Sequence, residues 1–253
     1  MYVSYYDKIV KYSLHPNGTL ISPQGTIIIS KKIPNPDDYY DNPPSTLSEI
    51  GGCYDLFVVQ SNGNLYVSDS PDHRILLLTL DSTEWIVVAG GKSKGSSANQ
   101  LKEPHGIFVD QHETIYIADY GNHRIQKWQK NSISGSTIAG HKGIIVNRSA
   151  DDLFHPIGLS VFSNGDMMIS DFETGRRGRL IYWPFNSTKP KKTIINEIYN
   201  VPHGSKSEWF LSTGWQVDQS TGHLYISESW KQNSSVGTRI RKFAHLECKS
   251  KNT

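Results

Sequence analysis

Four carboxylates recur along the 253-residue chain, each followed by an arginine: Asp69 with Arg74, Asp119 with Arg124, Asp171 with Arg179, and Glu228 with Arg239. A carboxylate beside a guanidinium can orient a substrate or hold a proton, so one such pair in a cleft would be a candidate for acid and base chemistry. Here the acids stand 50, 52 and 57 residues apart. A catalytic centre is built once, whereas a structural pair is built as often as the unit that needs it. The recurrence therefore assigns the pairs to structure, each acid accepting hydrogen bonds from the following loop and from the arginine fork. Other chemistries leave less trace. The chain has no phosphate-cradling P-loop and no H-E-x-x-H. Its ten histidines are scattered, several in turns such as His73 and His123. A basic cluster, Arg176-Arg177-Gly178-Arg179 with Lys189, Lys191 and Lys192, could face RNA, but a net charge of +2 with acids spread throughout argues against a nucleic-acid partner.

The elements that carry these residues are short strands. Leu101 to Trp128 is the clearest stretch. Gly106 to Asp110 is an apolar run, Ile115 to Asp119 alternates, Arg124 to Trp128 alternates again, and turn residues separate them; Ser136 to Gly140 makes a fourth strand. The pattern returns in Leu65 to Asp69 with His73-Arg74-Ile75, in Met167 to Asp171 with Arg179 to Trp183, and in Leu224 to Glu228 with Arg239 to Phe243. Four antiparallel strands about every 50 residues make one blade of a β-propeller. The fold expected is all-β, a propeller of about five four-stranded blades with the first and last incomplete. The blades run roughly over 1–32, 52–90, 101–140, 153–198 and 211–246, in a single domain over 1–253. Tyr66, Tyr116 and Tyr225, with Trp128, Trp183 and Phe243, are expected to pack between blades.

In these features the chain resembles the NHL-repeat family of propellers, whose repeat opens on Pro-x-Gly, continues through a strand ending in Asp and a Tyr-Val-Ala-Asp-like strand, and closes on Asn-His-Arg-Ile. Only Leu101 to Trp128 carries nearly all of it, and the other copies carry parts. The resemblance implies that the innermost strand of each blade opens near a central channel. The residues before its glycine position, Tyr54, His105, Ile157 and Thr213, are then placed to line it, and Tyr54, His105 and Thr213 are the candidate binding residues. The family includes a peptidyl-hydroxyglycine lyase that holds zinc with histidines from three blades. This chain matches that motif at Pro104-His105-Gly106 only; His155 precedes its proline, and His203 is not followed by the strand pattern. One imidazole does not make a zinc site, so no metal and no cofactor are expected.

Several expectations concern the edges of the repeat. Tyr2 to Tyr5, Lys8 to Tyr12 and Thr26 to Ser30 align with the second, third and fourth strands of a blade, so the chain starts inside a repeat. Either these strands complete the last blade, or the chain is part of a larger propeller. Ile33 to Glu49, Gly90 to Gln100 and Gly140 to Asp152 read as loops between blades. Asn17, Asn147, Asn186 and Asn233 head N-x-S/T acceptor sequences in predicted turns, and Cys53 and Cys248 could form one disulfide clamping the ring or remain two separate thiols. These features favour an extracellular or luminal setting over a cytoplasmic one. No apolar run has membrane-spanning length. A strong repeat without a complete catalytic constellation is expected to be a monomeric binding scaffold that presents loops to a protein, peptide or glycan. The alternative is a metal-dependent lyase or hydrolase with its site in the channel, built on His105, Tyr54, Thr213 and His155.

Overall fold

The computed structural model describes residues 1–5, 7–31, 47–140, 152–173, 177–196, 207–217, 224–232 and 235–243. Two compact units, 1–159 and 160–253, divide the chain. Strands β1 (Tyr2–Tyr5), β2 (Lys8–Lys11), β3 (Thr26–Lys31) and β4 (Glu49–Ile50) form the first sheet, in that order. The second sheet is β5 (Cys53–Val58), β6 (Leu65–Asp69), β7 (Arg74–Leu78) and β8 (Trp85–Gly90). The third is β9 (Pro104–Val109), β10 (Ile115–Asp119), β11 (Arg124–Trp128) and β12 (Ser136–Gly140). A fourth follows in β13 (Pro156–Val161), β14 (Met167–Glu173), β15 (Arg177–Trp183) and β16 (Lys192–Asn196). The last has three strands among the described residues, β17 (Ser207–Val217), β18 (Leu224–Gln232) and β19 (Ser235–Phe243). This is the blade architecture of a β-propeller. In the first sheet β1 to β3 pair antiparallel, and the fourth place is taken by two residues of β4 running parallel to β3.

Why these sheets stack is legible in β6. Its sequence, Leu-Tyr-Val-Ser-Asp, is buried at all five positions. Successive side chains on a strand point to opposite faces, so a strand buried throughout must have a neighbour on each side. Leu65 and Val67 join Ile9, Ile29, Ile50, Leu76 and Trp85 in one cluster, whereas Tyr66 joins Ile75, Leu101, Ile107, Ile117 and Trp128 in another. Ser68, on the second face, donates from Oγ to the Pro104 carbonyl at 2.6 Å. The sheet of β5 to β8 is thus sandwiched between its two sequence neighbours. In the second unit Trp183 is buried as Trp128 is in the first, and both indole N–H groups donate at 2.9 Å to a carbonyl four residues on, Ser187 and Ser132.

The recurring pairs lie at the seams between these elements. Arg74 Nε donates to Asp69 Oδ2 at 2.8 Å, Arg124 Nε to Asp119 Oδ2 at 2.7 Å, and Arg179 Nη2 to Asp171 Oδ2 at 2.8 Å. Glu228 and Arg239 are register partners across β18 and β19. The acids also bind upstream, beyond the loop that follows them. Asp69 Oδ1 accepts the amides of Gly51 and Gly52, and Asp119 Oδ1 accepts that of Lys102, each from the segment leading into its own sheet. The physical reason is that these amides precede the ladder and have no strand partner, so a buried carboxylate satisfies them. The arginines do the same for carbonyls: Arg74 Nη2 reaches Glu49 O at 2.8 Å, while Arg124 takes Ser96 O at 2.7 Å, Gln100 O at 3.0 Å and Ser97 O at 3.3 Å. The connection over 91–100 is therefore tied to β11. The loops over 33–46 and 141–151 lie outside the described residues.

Candidate functional site

A local irregularity in the first strand of three sheets bears on the candidate residues. Cys53 pairs with Asp69 and Asp55 with Ser68, which leaves Tyr54 as an extra residue. In β9, Pro104 pairs with Asp119 and Ile107 with Ile117, so His105 and Gly106 together face Ala118. In β17 the register shifts between Leu211 and Trp215, the interval that contains Thr213. A bulge turns its extra side chain out of the alternating pattern. Tyr54, His105 and Thr213 each fall within one.

The structure brings Tyr54 and His105 together and adds three rings to them. Tyr54 lies 4.4 Å from His105, His105 stacks on Tyr120 at 4.1 Å with 9° between the planes, and Tyr120 stacks on His155 at 4.5 Å. His123 closes the row, edge-on to His155 at 4.8 Å. Tyr54 is 50% exposed, so the row ends in solvent on a tyrosine face. Burial, with the second imidazole of His155, pulls His105 down to about 4 and keeps it neutral at physiological pH. Burial and the Glu103 carboxylate raise the Tyr120 phenol. A neutral imidazole stacked on a tyrosine ring presents flat, apolar faces.

Backbone contacts fix the His123 end of the row and the equivalent His73. His73 and His123 both adopt left-handed conformations, with φ of 55° and 57°, at the turn before the arginine. His73 Nδ1 accepts the Glu103 amide at 3.1 Å, and His123 Nδ1 donates to the Phe154 carbonyl. Beside Tyr54, Asp55 turns inward: Oδ2 accepts the Ile107 amide and Oδ1 that of Leu56, both at 2.9 Å. Burial pushes its carboxyl up to about 6 against those two donors.

This donor set does not fit a zinc ion of the lyase kind. The rings of His105 and His155 are separated by Tyr120, and His123 Nδ1 is engaged by Phe154. Ligand nitrogens must converge on a point about 2.0–2.1 Å from each. Among the described residues no three His, Cys, Asp or Glu side chains gather closely enough to hold a metal.

Other candidates fall elsewhere. Cys53 is buried in the cluster around Trp85, and its thiol is pushed up to about 12, chiefly by burial; Cys248 lies outside the described residues. Asn17 and Asn186 sit exposed in turns, while Asn147 and Asn233 are outside the described residues, as are Arg176 and His203. Lys189 and Lys191 are exposed, but the Arg179 guanidinium is committed to Asp171. Tyr120, His123 and Asp55 were not singled out by spacing. A usable signal for Asp55 existed, since it occupies the place that Gly106, Gly158 and Gly214 hold in the other copies.

The model of the NHL repeat matches residues 101–128, the stretch spanning β9 to β11 and three rings of the row. The chain is a β-propeller carrying an NHL repeat. A chain in the crystal structure of a nidogen/laminin complex is similar to this propeller, with a TM-score of 0.60 and 13% identity over 94% of this chain and 76% of that one. A luciferin-regenerating enzyme is similar with a TM-score of 0.55 and 14% identity, over 96% and 73% of the two chains. At such identities the likeness concerns the fold. A search of curated proteins with the sequence finds no match. Among the described residues, no helix is long and apolar enough to cross a membrane.

Proposed function

We propose that the propeller is a non-enzymatic binding module that engages a protein partner through the end of the first unit where Tyr54 ends the stacked row. The carrying observation is the row itself, in which four rings behind Tyr54 hold its orientation and leave half of it open. A rigid aromatic side chain loses little entropy on binding and supplies a large contact, which is why tyrosine is frequent among interface anchors. Of the imidazoles in the row, His105 and His155 pack on Tyr120, and His123 Nδ1 is held by the Phe154 carbonyl. A similarly folded chain in a nidogen/laminin complex supports a protein as the partner class.

The test is an interaction screen of secreted and matrix proteins, followed by titration of any hit against variants. Tyr54→Ala is expected to weaken binding by about thirtyfold, the scale of an interface anchor, with an unchanged melting temperature. A partner whose affinity ignores Tyr54 and every exposed loop would remove the proposal.

The setting that fits this reading is extracellular or luminal. Asn17 and Asn186 are both exposed, and Thr19 Oγ1 of the first acceptor sequence donates to Asn17 Oδ1 at 2.7 Å. Protein secreted from eukaryotic cells is expected to lose mass on treatment with an N-glycosidase. An unshifted mass would count against this setting.

A further inference from the structure

The loop after β6 carries an aspartate where its counterpart after β10 carries an asparagine. Asn122 stands three residues after Asp119, and Asp72 stands three residues after Asp69, with histidine and arginine following in both. In the NHL repeat the Asn122 amide does two things. Nδ2 donates to Asp119 Oδ2 at 2.9 Å and to the Gly95 carbonyl at 2.8 Å. Asp72 occupies the same place, its carboxylate converging with that of Asp69 on Gly51 and Arg74, and its side chain is 6% exposed. An ionised carboxylate has no proton to donate, so two carboxylates cannot make the bond that Asn122 and Asp119 make.

We propose that Asp72 carries a proton and donates it to Asp69, forming an acid pair that latches the segment leading into β5 and opens as that proton is lost. The surroundings support the assignment. Asp69 is the acceptor of the pair, because Oδ1 takes the amides of Gly51 and Gly52 and Oδ2 takes Arg74 Nε. Asp72 Oδ2 is buried and receives no hydrogen bond, and its cationic neighbour, Arg74 Nη2, stands off at 3.7 Å while donating to Glu49 O at 2.8 Å. Of the other groups turned toward the pair, the Cys53 thiol in β5 stays neutral and the Gly51 amide favours the charged form. Burial, and then the Asp69 charge, raise the Asp72 carboxyl to about 7, and the guanidinium only partly offsets them. Gly51 and Gly52 run directly into Cys53 and Tyr54, so the latch lies at the root of the exposed tyrosine.

The sign of the pH dependence follows. With its folded value raised above the ordinary carboxylate value of about 3.9, Asp72 contributes stability that is complete at low pH and lost as pH rises toward about 7. The unfolding constant of the parent is expected to rise by roughly five hundredfold from pH 4 to pH 8 on account of this group. Asp55 adds a change of the same sign and His105 one of opposite sign, but both remain in a variant at position 72. Asp72→Asn should behave like the loop of the NHL repeat: a higher denaturant midpoint than the parent at pH 8, and loss of that part of the slope. Carbon NMR of the labelled parent protein should show the Asp72 carboxyl titrating near neutral pH. A carboxyl titrating below pH 5, or a variant retaining the parent slope, would overturn the assignment. The NMR measurement decides the matter even if the variant fails to fold.

Discussion

Arg124→Ala is expected to lower stability by about 3–5 kcal/mol, the scale of removing one partner from a buried ion pair. Both members are essentially sealed from water, with side chains 1% and 0% exposed. The guanidinium also holds three carbonyls of the 91–100 connection, so its removal strands several buried acceptors together with the Asp119 charge. An exposed pair gives the contrast. Lys130 meets Glu113 at 2.8 Å but is 55% exposed, and Lys130→Ala should cost less than about 1 kcal/mol. Urea denaturation of the two variants is the check; equal midpoints would mean that Arg124 does not join the connection to the blade.

Gly106→Val should fail to fold or lose most of its stability, and Gly106→Ala should cost at least about 1–3 kcal/mol. The sequence offers one reason for a glycine at this bulge, a positive φ, and the structure supplies another. Gly106 is not among the residues with positive φ. A Cβ there would instead lie 2.6 Å from Gly158 Cα and 2.7 Å from Ile157 O. Those are backbone atoms of β13, which cannot rotate away as a side chain would, so two first strands approach here with no room for a methyl group. Gly165, by contrast, has a φ of 85° and faces the movable Phe185 ring. Soluble Gly106→Val with the parent's melting temperature would refute the close approach.

The blades were readable because period-two alternation, turn residues and a recurring acid occur together in each copy; β6 and β10 begin and end where Leu65 to Asp69 and Ile115 to Asp119 alternate. The site was readable only in part. Tyr54 and His105 follow from their position before the glycine, but Tyr120 and His123 sit in a turn, and a turn's direction is not encoded in periodicity. His155 looked out of place when measured from its proline, and it joins the row because the second loop of the preceding blade reaches over to it. Asp72 was hidden differently: Asp and Asn are both ordinary turn residues, and the distinction matters only once Asp69 is known to lie beside it.

The latches also bear on the order in which the protein forms. Asp69 reaches back 17 and 18 residues to its amides, Asp119 reaches back 17, and Arg124 between 24 and 28 to its carbonyls. Every one of these bonds closes on chain already synthesised. Loops of that length have modest closure entropy, and contacts of short sequence separation form early. A ribosome releasing the chain would therefore let each hairpin secure the connection behind it before the next blade emerges, so that assembly proceeds vectorially, one repeat at a time.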